Sequence, residues 1–362
     1  MNNTVYHQGQ KAADVPFTTW SWTEYRAKVD AFAKSLLSLG FEPFDIINII
    51  GFNSREWFTA NFGAMAAGGV AAGIYATNLA DSCKYISGHS KAKVVVCEGV
   101  KQLEKYYEIG KDLPDLKALV MYGPDELTAE IKDKCPVPAY TFEEFLELGK
   151  DVPDADVKAR TDALQPNSTC TLIYTSGTTG PPKAVMITHD NLTWTVQAML
   201  KCVPGQNLYP TDCLISYLPL SHIAAQMLDM HTSLQTGLQI YFAQPDALKG
   251  SLGVTLKEVK PTIFFGVPRV WEKIYGKAFQ AKWREKIMLF GKRLTVRAKQ
   301  TKCRRLRNPL LASRRSFRHG RRIRRLDIGH PASTTPKQAV QCRIFSPRSF
   351  CTKSMLPLVW TT

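Results

Sequence analysis

Tyr174-Thr175-Ser176-Gly177-Thr178-Thr179-Gly180-Pro181-Pro182-Lys183 follows directly on the apolar run Cys170-Thr171-Leu172-Ile173-Tyr174. A short apolar run bounded by turn residues predicts a buried strand. A strand entering a loop of glycines and hydroxyls that ends in a lysine predicts a phosphate cradle. Glycines let backbone N–H groups approach the oxygens, hydroxyls add donors, and the ammonium supplies a point charge. The candidate nucleotide contacts are therefore Thr175, Ser176, Gly177, Thr178, Thr179, Gly180 and Lys183. Pro181-Pro182 stiffen the exit and aim the lysine. Gly177 and Gly180 are three apart and Lys183 three further on, which excludes both a Walker loop and a G-x-G-x-x-G turn. A hydrophilic linker between strands is the alternative reading of the same composition.

Outward from this loop, strand-like and helix-like patterns alternate over 22–300. Helical spacing over Thr23–Leu39 stops at Gly40, and Ser54 is placed to cap a helix to about Ala67. Asp81–Ser90, Val100–Ile109, a segment from Asn191 and Arg269–Leu294 are further expected helices. Asp45–Ile50, Val70–Ile74, Lys93–Cys97, Ala118–Met121, Val185–Ile187, Cys213–Leu218, Gln239–Phe242 and Thr262–Phe265 read as strands. Gly149–Pro166 reads as an acidic connector. The alternation predicts an α/β fold of parallel strands with helices on both faces, in two packed sheets.

The formal charge of +16 is unevenly placed. From Lys292 onward there are 19 Lys and Arg and one acid, Asp327, whereas residues 1–291 carry 28 bases and 30 acids. The arginine clusters of 301–362 show no helical or strand period, which predicts a disordered basic tail. A nucleic-acid-binding arm is its functional alternative, disfavoured by the lack of interleaved aromatics and of a binding fold. The nine cysteines form no C-x-x-C pair, which predicts reduced, buried thiols and no metal centre. No run of 18 apolar residues predicts a membrane span.

The loop closely resembles the Y-T-S-G-T-T-G-x-P-K-G signature of the adenylate-forming superfamily, which includes acyl-CoA synthetases, luciferases and peptide-synthetase adenylation domains. It departs at Ala184, where the family has glycine. If that position required φ > 0, alanine would cost roughly 1 kcal/mol or more. Tyr217-Leu218-Pro219-Leu220-Ser221-His222-Ile223-Ala224-Ala225-Gln226 resembles a second family motif, whose histidine lies near the acyl carboxylate. A lone histidine at a helix start is otherwise structural. Val267-Pro268-Arg269-Val270-Trp271-Glu272-Lys273 is similar to the long-chain synthetases, which implies that Arg269 and Trp271 line the substrate channel. A salt-bridged Arg269 and a core Trp271 are the plainer readings. Gly51–Phe58 and Gly73–Asn78 resemble the bubblegum branch.

The resemblance implies the large N-terminal domain of adenylate-forming enzymes over 1–300, with the tail at 301–362. It implies a long-chain fatty acid–CoA ligase that uses ATP, Mg²⁺ and coenzyme A, with Lys183 and His222 as catalytic residues. No Y-G-x-[ST]-E segment and no small C-terminal domain follow, so a truncated, poorly active form is expected. A non-catalytic nucleotide-binding pseudoenzyme is the alternative. The expected location is cytoplasmic, or peripheral on the endoplasmic reticulum or another intracellular membrane.

Overall fold

The computed structural model describes residues 2–5, 17–175, 180–201, 208–280 and 343–345. Its strands are β1 (Asn2–Val5), β2 (Thr18–Ser21), β3 (Ile46–Ile50), β4 (Val70–Ile74), β5 (Val94–Glu98), β6 (Ala118–Tyr122), β7 (Ala139–Thr141), β8 (Thr169–Thr175), β9 (Lys183–Thr188), β10 (Cys213–Ser216), β11 (Gln239–Phe242), β12 (Ile263–Phe265) and β13 (Arg343–Phe345). A seven-stranded sheet runs β7-β6-β5-β3-β4-β8-β9, and a four-stranded sheet runs β11-β10-β12-β13. Every pair in both is parallel except β8–β9. Strands β1 and β2 form an antiparallel pair.

The strand period of two divides the core. Ile47, Ile49, Val94 and Val96 face one cluster with Phe32, Leu36 and Trp57 of helices α1 (Trp22–Ser38) and α2 (Arg55–Ala66). Ile50, Val95 and Cys97 face the other with Cys83 and Ile86 of helix α3 (Ala80–Ser90). Burial on both faces explains why these strands read as continuous apolar runs. Helix α1 starts at Ser21, whose hydroxyl accepts from Glu24 N–H while the Glu24 carboxylate accepts from Ser21 N–H. Ser54 caps α2 in the expected place. Phe58 of α2 meets Phe242 of β11 edge-on, ring centroids 5.0 Å apart, so α2 touches both sheets.

Three local expectations change. The connector holds a helix, Asp154–Asp162. Pro153 at its N-cap and Asp154 and Asp156 in its first turn suit a helix N-terminus, and Val157 is buried. The expected helix 100–109 is two, Gly99–Leu103 and Lys105–Ile109, meeting at Glu104. Of the tail, only Arg343–Phe345 is described, and it is a strand paired with β12.

The chain divides into two compact units, Met1–Gly266 with Cys342–Thr362, and Val267–Gln341. The described part of the second is the helix Pro268–Gln280 with the residue before it. Among the described residues no helix is long and apolar enough to cross a membrane.

Candidate functional site

Strands β8 and β9 form an antiparallel hairpin in which Tyr174 pairs with Ala184 and Thr175 with Lys183. The hydroxyl and the ammonium of the last pair thus stand opposite each other at the mouth of the glycine-rich loop, both exposed. Ser176, Gly177, Thr178 and Thr179 lie outside the described residues. Gly180 has φ 91° with open space where a Cβ would point, so its use of glycine is conformational. Ala184 is not among the positive-φ residues. It lies in the β9 ladder and packs on the apolar cluster beneath, so the conditional penalty for its replacing glycine does not arise.

Both flanks of the loop are fixed by one face of α3. Tyr85 donates its hydroxyl to the Pro182 carbonyl at 3.0 Å, and His89 Nδ1 lies 3.0 Å from the Tyr174 hydroxyl. The Tyr85 and His89 rings stack with centroids 5.5 Å apart. Burial pushes the Tyr174 phenol up to about 12, so it stays protonated at neutral pH. The only sequence signal for this anchor is the i, i+4 spacing of Tyr85 and His89. Nothing local connects them to a loop 85 to 97 residues onward. Tyr85→Phe is expected to cost about 1 kcal/mol of stability and to weaken nucleotide binding about fivefold. Urea denaturation and calorimetric ATP titration check the two effects separately.

The second motif begins where β10 ends. Asn53, in the loop after β3, donates Nδ2 to Ser216 Oγ and to the Leu218 carbonyl, both at 2.8 Å. The Tyr217 hydroxyl donates to the Phe265 carbonyl at 2.7 Å. His222 is exposed and caps the helix Ile223–Ala225, its Nδ1 accepting from Ala224 N–H at 3.1 Å. That bond assigns the proton of a neutral ring to Nε2, leaving a donor suited to a carboxylate or phosphate oxygen. A Cβ at Gly73, in β4, would come within 2.9 Å of Ser221 Cα, so the motif rests on the carboxyl half of β4. Strand β4 pairs with β8. The two motifs therefore share the carboxyl edge of neighbouring strands. Gly73→Ala is expected to cost about 1–3 kcal/mol by overpacking, read as a lower urea midpoint, because the nearest obstacle is backbone.

Arg269 and Trp271 lie in the first turn of the helix Pro268–Gln280, in the second unit. Among the described residues no cluster of three or more His, Cys, Asp or Glu is arranged to hold a metal. At the loop mouth the described donors are a hydroxyl and an ammonium, a set that suits phosphate oxygens rather than a cation. Any Mg²⁺ here would be held chiefly by phosphate.

A small, mostly apolar cleft lies beside the second motif. Its walls include Leu214, Ile215, Leu218, Leu228, Ile263 and Phe265, together with Asp229. Asp229 belongs to a π-helical turn, Gln226–His231. Its carboxylate accepts from Ser216 Oγ at 2.7 Å. Burial raises its pKa to about 7, with the Ser216 bond opposing. His231 is driven down to about 4 by burial and by His189. The Nε2 atoms of His189 and His231 are buried with no hydrogen-bond partner among the described residues. Sequence reading did not anticipate Asp229, which stands between Leu228 and Met230.

The AMP-binding enzyme family matches residues 2–318. The chain is 48% identical over 258 residues to the long-chain-fatty-acid–CoA ligase ACSBG2 of Xenopus laevis, covering 71% of this chain and 34% of that protein. It is 46% identical over 255 residues to ACSBG1 of Mus musculus, a ligase of the same description, covering 70% and 34%. The chain thus spans about a third of the length of the curated relatives it matches. Among solved structures, the A-PCP didomain of a carboxylic acid reductase from Segniliparus rugosus superposes with a TM-score of 0.61 at 22% identity, over 72% of this chain and 37% of that one. The anthranilate CoA ligase AuaEII, in complex with anthranoyl-AMP, superposes with a TM-score of 0.57 at 21% identity, over 73% and 46%.

Proposed function

The chain belongs to the AMP-binding enzyme family, and from that premise we propose that it carries the pyrophosphate-gripping and acyl-binding part of a long-chain fatty acid–CoA ligase. In that reaction a fatty-acid carboxylate oxygen attacks the α-phosphorus of ATP, and the bond to the bridging oxygen breaks. Pyrophosphate leaves and an acyl-adenylate remains. The thiol of coenzyme A then attacks the acyl carbon, expels AMP and gives up its proton.

The carrying observation is the shared carboxyl edge of β4 and β8. It sets the Thr175–Lys183 pair, the His222 motif and the apolar cleft in one region. The loop Thr175–Gly180 holds the leaving pyrophosphate, Lys183 offsets its charge, and His222 Nε2–H steadies a carboxylate oxygen. Positioning and charge neutralisation are the main sources of rate in such a step. The cleft takes the acyl tail, each methylene contributing about 0.8 kcal/mol when buried. By the family resemblance, Arg269 and Trp271 are assigned to binding the fatty-acid substrate, and Mg²⁺ to the phosphates. The free thiols Cys83, Cys97, Cys135, Cys170 and Cys213 support a reducing, cytoplasmic setting, with peripheral membrane contact for an apolar substrate.

The test is ATP titration together with pyrophosphate-release and acyl-CoA assays on the 362-residue chain, beside a full-length relative. Saturable ATP binding with turnover far below the relative's is the expected result. Absence of ATP binding would overturn the assignment.

A further inference from the structure

The cleft beside the second motif is hydrocarbon except for three side chains, Tyr217, Asp229 and Thr232. Two of these have committed their protons. The Tyr217 hydroxyl donates to the Phe265 carbonyl at 2.7 Å, and Thr232 Oγ1 donates to the Met227 carbonyl at 2.8 Å. Asp229 is different. It is 6% exposed, and among the described residues its carboxylate accepts one bond, from Ser216 Oγ to Oδ2. Ser216 Oγ in turn accepts from Asn53 Nδ2 at 2.8 Å. This relay holds Oδ2, and Oδ1 of this cleft-lining residue has no hydrogen-bond partner among the described residues.

Resting on the acyl reading above, we propose that Asp229 is a specificity-determining residue: it hydrogen-bonds a hydroxyl carried partway along the acyl chain, so that hydroxylated long-chain fatty acids are preferred substrates. A plain hydrocarbon tail gains from the leucine and isoleucine walls and leaves Oδ1 unanswered. A tail with one hydroxyl at the matching carbon gains almost the same burial and donates to Oδ1. The same hydroxyl in an all-hydrocarbon cleft would lose its water and find no partner. An ammonium group is the less suitable partner, since burial holds this carboxyl partly neutral at physiological pH.

The experiment compares binding of octadecanoate with octadecanoates carrying one hydroxyl at successive carbons, measured by calorimetry on the intact chain. Wild type is expected to bind one positional isomer about tenfold tighter than its neighbours along the series. Asp229→Leu is expected to abolish that maximum while still binding octadecanoate, and Asp229→Asn, which keeps an acceptor, to retain most of it. A smooth decline with no favoured position in wild type overturns the proposal without reference to any variant. A maximum that persists undiminished in Asp229→Leu also overturns it. Binding of octadecanoate without positional preference leaves the acyl reading standing and removes only Asp229's role. Binding of none of these acids overturns the acyl reading and the proposal together.

Discussion

Lys183→Ala is expected to weaken ATP binding by about tenfold to a hundredfold, the range of about 1.5–3 kcal/mol that a hydrogen bond to a charged group contributes. The lysine begins β9, opposite Thr175, and its side chain is exposed at the loop mouth. Its loss creates no cavity, so fold stability should stay within about 0.5 kcal/mol of wild type. If the ammonium grips the outer phosphates, AMP affinity should change little, and the ATP loss should shrink as ionic strength rises. Lys183→Arg keeps the charge but replaces a compact donor with a planar fork, so only partial recovery is expected. Calorimetric titrations of ATP and AMP, each at low and high salt, check this. Equal losses on ATP and AMP would place Lys183 elsewhere on the nucleotide.

Asp229→Asn and His231→Gln are expected to tilt the pH dependence of stability in opposite directions. Asp229 keeps its proton to about 7 in the fold, against an ordinary value of 3.8. Between those limits the folded chain holds a proton that the unfolded chain has released, so Asp229 lowers stability as pH rises. The slope reaches about 1.4 kcal/mol per pH unit. His231 has the reverse sign, with a folded value of about 4 against an ordinary 6.5. Its contribution is present above the unfolded value and is lost as pH falls through this window. The two slopes nearly cancel between about pH 4 and 6.5. Removing Asp229 should therefore leave stability rising with pH there. Removing His231 should leave it falling, by up to roughly 3 kcal/mol across the window in each case. Urea denaturation of the three proteins over this range reads the slopes directly. Parallel curves would mean that neither group titrates as its burial implies.

The strands were legible wherever burial on both faces left an unbroken apolar run, as in Val94–Cys97 and Val70–Ile74. Ser54 announced a helix start because capping chemistry is confined to a few adjacent residues. The helix Asp154–Asp162 was hidden because its face buries little beyond Val157, so no apolar period marked it. The glycine-rich loop and the His222 motif were readable as strings, and the family follows from them. Their mutual placement was not.

The linear order of residues thus determined the α/β class, the main strands and the identity of the loop, all consequences of interactions within about ten neighbours. Tertiary structure alone decided that β9 turns back antiparallel along β8 and that Tyr85 and His89 hold the loop's flanks. It alone placed Asp229 in an apolar wall with Ser216 behind it. These are contacts between residues far apart in the chain. Competition among all the packed elements for burial and hydrogen bonds selects them, and no local pattern encodes the outcome.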